Sequence, residues 1–385
     1  MNYEYREAYR NDLNRIERGI SATAVRVQES WKMRQYCFAY ANFKALMPEI
    51  VEGKRGEDVF VEMLKIRART PLDHKYLEKI EEITFSGDYE KIVQQRSGPF
   101  IFCSYHLGSY RKIVSLLASR GYDFTLIVDQ GVYDNQRAES EGLVKAINER
   151  YGVRSDFQVL NAENFGAAMT MVKHLQEGKS LVAYIDDNRG AGGTPKAESQ
   201  VLKIGFMNQE IYVRQGLAHI SYVTGIPIVP VVSYRKTPDN ITLHFYPQIL
   251  PEAGESRRAY CLQTTEKLYG YLETNLKQYP LQWEGWLYIH KYLDTKSLLL
   301  KKDAMPTAVK AGKRQLEFNR ERYGLYEFGQ EWHLFDSDTY QTYIIPESVF
   351  RWFEQVLKGG LESAASEPPF GKAWRTQLQA QQILI

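Results

Sequence analysis

From Pro99 to about Tyr234 the chain alternates short apolar runs with segments of helical period, and that order constrains the fold more than any other feature of the sequence. The runs 99–105, 124–129 (Phe-Thr-Leu-Ile-Val-Asp), 156–160, 180–186 (Ser-Leu-Val-Ala-Tyr-Ile-Asp) and 226–234 have the length and apolar character of buried strands. Helical spacing falls over 109–120, 136–151, 163–177 and 210–223. Strands separated by helices imply an α/β fold with a mainly parallel central sheet flanked by helices. A further strand is expected over 240–249 and a long amphipathic helix over 256–278.

The flanks read differently. Residues 1–95 form a helical N-terminal region: a long charged helix, a second helix at 31–47, and shorter pieces around 57–65 and 73–83 that cover the sheet. The α/β domain spans 96–295. A basic connector, 296–322, carries Lys296, Lys301, Lys302, Lys310, Lys313, Arg314, Arg320 and Arg322 against only Asp303, Glu317 and Glu321. A small C-terminal α+β module with its tail, 323–385, is expected to hold strands at 324–328, 332–336 and 340–345 and a helix at 346–358. Its start and end resemble small peptide- or carrier-recognition domains. The tail after Gly359, rich in Ala, Ser, Gln and Pro, is expected to be poorly ordered.

Charge and cysteine usage exclude several functions. The 49 basic and 47 acidic residues leave a net charge of +2, so a polyanionic partner such as nucleic acid is disfavoured. Three cysteines without Cys-x-x-Cys spacing suggest neither a disulfide framework nor a cysteine-based zinc site, and no metal is expected. Met1 to Arg18 is too charged for a secretory signal, and the longest uncharged stretch, Gln215 to Tyr234, is broken by Gly225, Pro227 and Pro230. The expectation is a cytoplasmic protein that does not span a membrane. Trp31, Met33, Tyr36, Phe38, Tyr40, Phe43 and Met47 would also suit a helix lying on the inner-membrane surface, although such residues more often form core.

Three expected strands end in groups able to move protons or form hydrogen bonds: His106, then Asp129 with Gln130, then Asp186 with Asp187 and Asn188. Parallel strands bring these ends to one edge, where open α/β sheets bind ligands. A histidine beside a carboxylate can take a proton from a hydroxyl or amine. The competing reading makes the acidic residues helix caps, more so for Asp129 than for Asp186. The Gly-Ala-Gly-Gly run at 190–193 lacks P-loop spacing. His74, His174, His219, His244 and His333 are read as structural.

Several ordered segments together resemble the lipid A biosynthesis lauroyl/myristoyl acyltransferase family, a branch of the lysophospholipid acyltransferase superfamily. They are His106-Leu107-Gly108-Ser109-Tyr110-Arg111; Tyr184-Ile185-Asp186-Asp187-Asn188-Arg189-Gly190; Val201-Leu202-Lys203-Ile204-Gly205-Phe206-Met207, similar to an apolar loop; Arg214-Gln215-Gly216-Leu217-Ala218 followed by Thr224-Gly225-Ile226-Pro227-Ile228-Val229-Pro230; and Gln282-Trp283-Glu284-Gly285-Trp286-Leu287-Tyr288-Ile289-His290-Lys291. The resemblance covers about residues 95–295. It implies transfer of an acyl group from a thioester of acyl carrier protein or coenzyme A to a hydroxyl or amine acceptor, with no other cofactor. His106 would be the general base, Asp186 and Arg111 its catalytic neighbours. Gly108, Ser109, Asp129, Asp187, Arg189 and Arg214 are expected to bind substrate, with backbone N–H groups near Gly108 or a basic side chain stabilising the oxyanion.

Two departures matter. Arg111 stands where the family has the acid that holds the imidazole, and a guanidinium cannot accept that hydrogen bond. Either Asp186 takes that part, or Arg111 binds an anionic group of donor or acceptor; its charge is also expected to lower the imidazole pKa and keep it neutral. The polar N-terminus replaces the family's hydrophobic anchor, which favours a soluble enzyme. The alternatives are a peripheral membrane lysophospholipid or glycolipid acyltransferase and a non-catalytic binding protein on the same fold.

Overall fold

The computed structural model describes residues 3–24, 30–95, 98–187, 201–295, 317–359 and 374–385. They fall into two compact units, Met1–Ile20 with Glu62–Gly285, and Ser21–Val61 with Trp286–Ile385. The strands are β1 (Ile83–Gly87), β2 (Ile101–Ser104), β3 (Phe124–Val128), β4 (Phe157–Asn161), β5 (Ser180–Tyr184), β6 (Val201–Phe206), β7 (Gln209–Arg214), β8 (Ile228–Tyr234), β9 (Ile241–Phe245), β10 (Tyr323–Phe328), β11 (Glu331–Asp336) and β12 (Gln341–Ile345). The helices are α1 (Tyr3–Ala24), α2 (Ser30–Leu46), α3 (Gly56–Lys75), α4 (Lys112–Ser119), α5 (Gln130–Tyr151), α6 (Ala167–Gln176), α7 (Gly216–Thr224), α8 (Arg257–Gln278), α9 (Glu347–Gly359) and α10 (Trp374–Ala380).

The first unit is built on a seven-stranded sheet in the order β1-β9-β8-β2-β5-β3-β4, parallel throughout except between β8 and β9. Its central strands read as unbroken apolar runs because both faces are covered. Successive residues of β2 serve opposite sides. Phe100 and Phe102 join Ile113, Leu116 and Leu117 of α4 and Val144 and Ile147 of α5, while Ile101 and Cys103 join Met171 and Leu175 of α6, Ile220 of α7 and Leu268 of α8. The α/β architecture with a mainly parallel, helix-flanked sheet is thus as the sequence indicates.

Two segments differ from that expectation. The sheet begins before residue 96, because β1, inside the stretch read as helical, pairs in parallel with β9 from Ile83 opposite Ile241 to Gly87 opposite Phe245. The expected helix at 210–223 is instead a strand followed by a shorter helix. Ile211 and Val213 are buried with half-buried neighbours between them, a period of two, and β7 pairs with β6 as an antiparallel hairpin turning at Met207 (φ 54°). The run 201–207, expected as a loop, supplies the partner strand.

In the second unit β10, β11 and β12 form an antiparallel sheet followed by α9, the expected small α+β module. α2 lends it core, with Cys37 and Ala41 buried against Tyr326 and Phe335. A Cβ at Gly324 would lie 2.3 Å from the Cys37 sulfur, so this close approach of strand and helix requires glycine. Of the tail expected to be poorly ordered, 360–373 lie outside the described residues, while Leu378, Ile383 and Leu384 are buried in one cluster with Phe353. Most of the basic connector, 296–316, lies outside the described residues. No helix among the described residues is long and apolar enough to cross a membrane.

Candidate active site

β2 and β5 are neighbours in parallel register, with Ser104 opposite Tyr184. Two residues further along each chain, at the carboxyl edge of the sheet, His106 and Asp186 meet. The imidazole Nδ1 lies 2.9 Å from Asp186 Oδ1. The same carboxylate accepts the His106 backbone N–H at 3.1 and 2.9 Å and the indole N–H of Trp283 at 2.6 Å. Its side chain is fully covered, whereas the imidazole retains 16% of its surface. Tyr110 stands edge-on to the ring at 4.7 Å and Tyr184 lies tilted at 5.1 Å.

The turn that carries His106 is held on every side. The Gly108 N–H donates to the Gln282 carbonyl at 3.0 Å, and the His106 carbonyl accepts from the Glu284 N–H at 2.9 Å. Gly108 has φ 58°, and a Cβ there would approach the Ser233 carbonyl to 2.8 Å, so the position requires glycine twice over. Thr70 of α3 donates to the Gly108 carbonyl at 2.8 Å. Tyr105 donates to Leu268 O at 2.6 Å and Tyr269 to Ile185 O at 2.8 Å, which ties α8 to the ends of β2 and β5.

Burial alone would push the His106 pKa down, but the Asp186 charge and hydrogen bond, helped by Glu284 and Asp187, carry it above its ordinary value. The expectation that Arg111 would lower it is therefore corrected: the carboxylates dominate. Arg111 precedes α4, its guanidinium 5.8 Å from the centre of the Tyr110 ring. Burial raises the Tyr110 phenol to about 12, with Glu284 adding and Arg111 opposing.

The other expected binding residues scatter. Ser109 is buried and donates to Asp73, while Arg235 donates to Asp73 and, at 2.7 Å, to the Ser109 oxygen; Tyr9 donates to the second Asp73 oxygen at 2.7 Å. This is a packing network, and it removes Ser109 from the substrate-facing set. Gly108 shapes the turn, and its N–H is engaged with Gln282, so it is not available to an oxyanion. Asp129 caps α5, accepting from the Val132 N–H at 2.7 Å, as the competing reading had it. Asp187 follows the dyad and adds negative charge beside the imidazole. Arg214 ends β7 opposite Val201. Arg189 and the glycine run 190–193 lie outside the described residues.

Sequence reasoning singled out neither Trp283 and Glu284 as neighbours of the dyad nor Asp73 and Arg235 as supports of the turn. The run Gln282–Gly285 was the one available signal. Glu284 also pairs with Arg67 of α3 at 3.2 Å. Among the described residues no group of three or more His, Cys, Asp or Glu is placed to hold a metal.

No protein-family model and no curated protein matches the chain. Among solved structures it is similar to the 1-acyl-sn-glycerophosphate (LPA) acyltransferase PlsC of Thermotoga maritima, at 12% identity and a TM-score of 0.32, over 64% of this chain and 96% of that one.

Proposed function

We propose that the protein is an acyltransferase that moves an acyl group from a thioester of acyl carrier protein or coenzyme A to a hydroxyl or amine. The observation that carries this reading is the His106–Asp186 pair: a partly exposed imidazole whose Nδ1 is held by a covered carboxylate. The ordered segments that resemble lipid A acyltransferases support the same chemistry. With Nδ1 bound to Asp186, the proton moves through Nε2. Nε2 takes the acceptor's proton as its oxygen or nitrogen attacks the thioester carbonyl. The tetrahedral intermediate then collapses, the C–S bond breaks, and the imidazolium returns the proton to the leaving thiolate. The products are an ester or amide and a thiol.

Asp186 orients the ring and stabilises the imidazolium. Arg111 binds an anionic group of donor or acceptor, the carboxylate beside the imidazole being Asp186, just beyond β5. Asp187 and Arg214 remain substrate-facing in this reading, and the oxyanion is stabilised by a basic side chain in place of the engaged Gly108 amide. Thioester consumption by the full chain, followed by intact mass across a series of acyl-carrier proteins and acyl-CoAs with hydroxyl and amine acceptors, tests the proposal. Turnover lost in His106→Ala is the expected result; turnover that survives the substitution would exclude His106 as base, and none with any donor would leave a binding protein on this fold. Vesicle flotation in low and high salt separates the soluble enzyme from a surface-bound one.

A further inference from the structure

We propose that Trp283 is a positioning residue that acts on His106 through Asp186. Its indole N–H is a single fixed donor aimed at Asp186 Oδ2 from 2.6 Å, across 97 positions of sequence. A covered carboxylate has no water to satisfy it, so its orientation and basicity are set by the donors around it: the imidazole, the His106 backbone N–H and this indole. Remove the indole and one oxygen is left with only the backbone N–H.

The surrounding chain is shaped to hold the indole there. A Cβ on Gly285 would lie 2.1 Å from the Trp283 ring, so only glycine at 285 leaves room for the ring. Phe206 of β6 packs edge-on against the ring at 5.9 Å between centroids. Leu107 and Trp283 form an antiparallel bridge, flanked by the Gly108–Gln282 and Glu284–His106 backbone hydrogen bonds, so the segment that carries the indole is bonded directly to the turn that carries the base. The base, its acid and the indole are thus joined in one hydrogen-bonded unit.

This inference rests on the dyad being the working site, yet its test needs no substrate. In the full wild-type chain, nuclear magnetic resonance of the assigned His106 ring and Trp283 indole protons is expected to show the indole proton far downfield, slow to exchange, and shifting along the His106 titration. In Trp283→Phe the carboxylate loses a donor and becomes more basic, so the His106 pKa rises by about half a unit to one unit. Phe206→Leu disturbs the ring's packing and leaves the N–H, and is expected to leave the titration in place. An indole resonance indifferent to the titration, or an equal shift in both variants, overturns the proposal and reduces Trp283 to packing. If the coupling is found while no donor is turned over, the acyl-transfer reading fails and the positioning role stands.

Discussion

His106 Nδ1 and Asp186 Oδ1 meet at 2.9 Å although 80 positions separate them. Sheet register brings them close, since β2 and β5 are adjacent, parallel and level at their ends. In the family the sequence resembles, the acid stands one helical turn after the histidine, and that position is Arg111 here. Here the acid beside the histidine comes instead from the segment after a neighbouring strand. The position left behind can take a cation.

Substituting Asp186 by Asn tests whether the pair works as one. Asn keeps the volume but turns an N–H₂ group toward a site surrounded by donors, so the imidazole loses its orientation and its stabilised charge. Turnover of the preferred thioester is expected to fall about a thousandfold or more, close to the loss in His106→Ala, and the double variant to be little worse than either. Additive losses would show that the two residues act separately.

The raised His106 pKa fixes the sign of the pH response. A base must be unprotonated, so kcat/KM falls on the acid side through a limb lying above the ordinary histidine value of about 6.5. Stability runs the other way. The imidazolium–Asp186 attraction contributes fully below the unfolded pKa of about 6.5 and is lost as pH rises through the folded value. A rate profile with its acid limb at or below 6 would contradict the pairing, and Asp186→Asn is expected to move the limb downward.

Arg111 gives the third prediction. If it binds an anionic group, Arg111→Gln raises KM for the substrate that carries that group by about tenfold or more while kcat changes little. Arg111→Glu, which restores an acid to the family position, is expected to be worse. It adds negative charge beside Glu284 and Asp187, drives the imidazole pKa higher, and leaves less neutral base at pH 7. An Arg111→Glu chain more active than wild type would mean that the acid on the helix is still the one the chemistry wants.

The sheet and the dyad were legible in the sequence for the same reason: strands buried on both faces are continuous apolar runs, and a polar residue just beyond such a run marks the edge where sites form. β1, Ile-Thr-Phe-Ser-Gly, lies at the margin of the sheet and mixes polar with apolar residues, so its pattern is weak. β7 was merged with α7 because Ile211 and Val213, read with the apolar residues after Gly216, fit a helical period as well as an alternating one. Asp186 could be chosen over Asp129 only as an inclination, since both follow strands; the register decides between them, because β2 lies beside β5 and not beside β3. The contact of Trp283 with Asp186 is out of reach of the sequence, since an indole's hydrogen bond across 97 positions leaves no periodic trace. Ser109 was misread for a related reason, its partners Asp73 and Arg235 coming from distant segments.

Those partners make the last prediction. Asp73 and Arg235 are almost wholly covered, at 0% and 4% side-chain exposure, and they join α3 to the segment after β8 directly beneath the turn of His106. A buried pair is costly to break because the surviving charge is left without a partner, so Asp73→Ala is expected to lower unfolding free energy by about 3–5 kcal/mol. The double change Asp73→Leu with Arg235→Met removes both charges and should recover most of that loss in urea denaturation. The two variants separate stability from placement. Ser109, next to Gly108 in the turn, leans on this network through Asp73, so the double variant, though stable, is expected to hold the turn less firmly and to lose turnover without a shift of the pH limb. A double variant as unstable as Asp73→Ala would show that the pair contributes through attraction and not merely through mutual compensation.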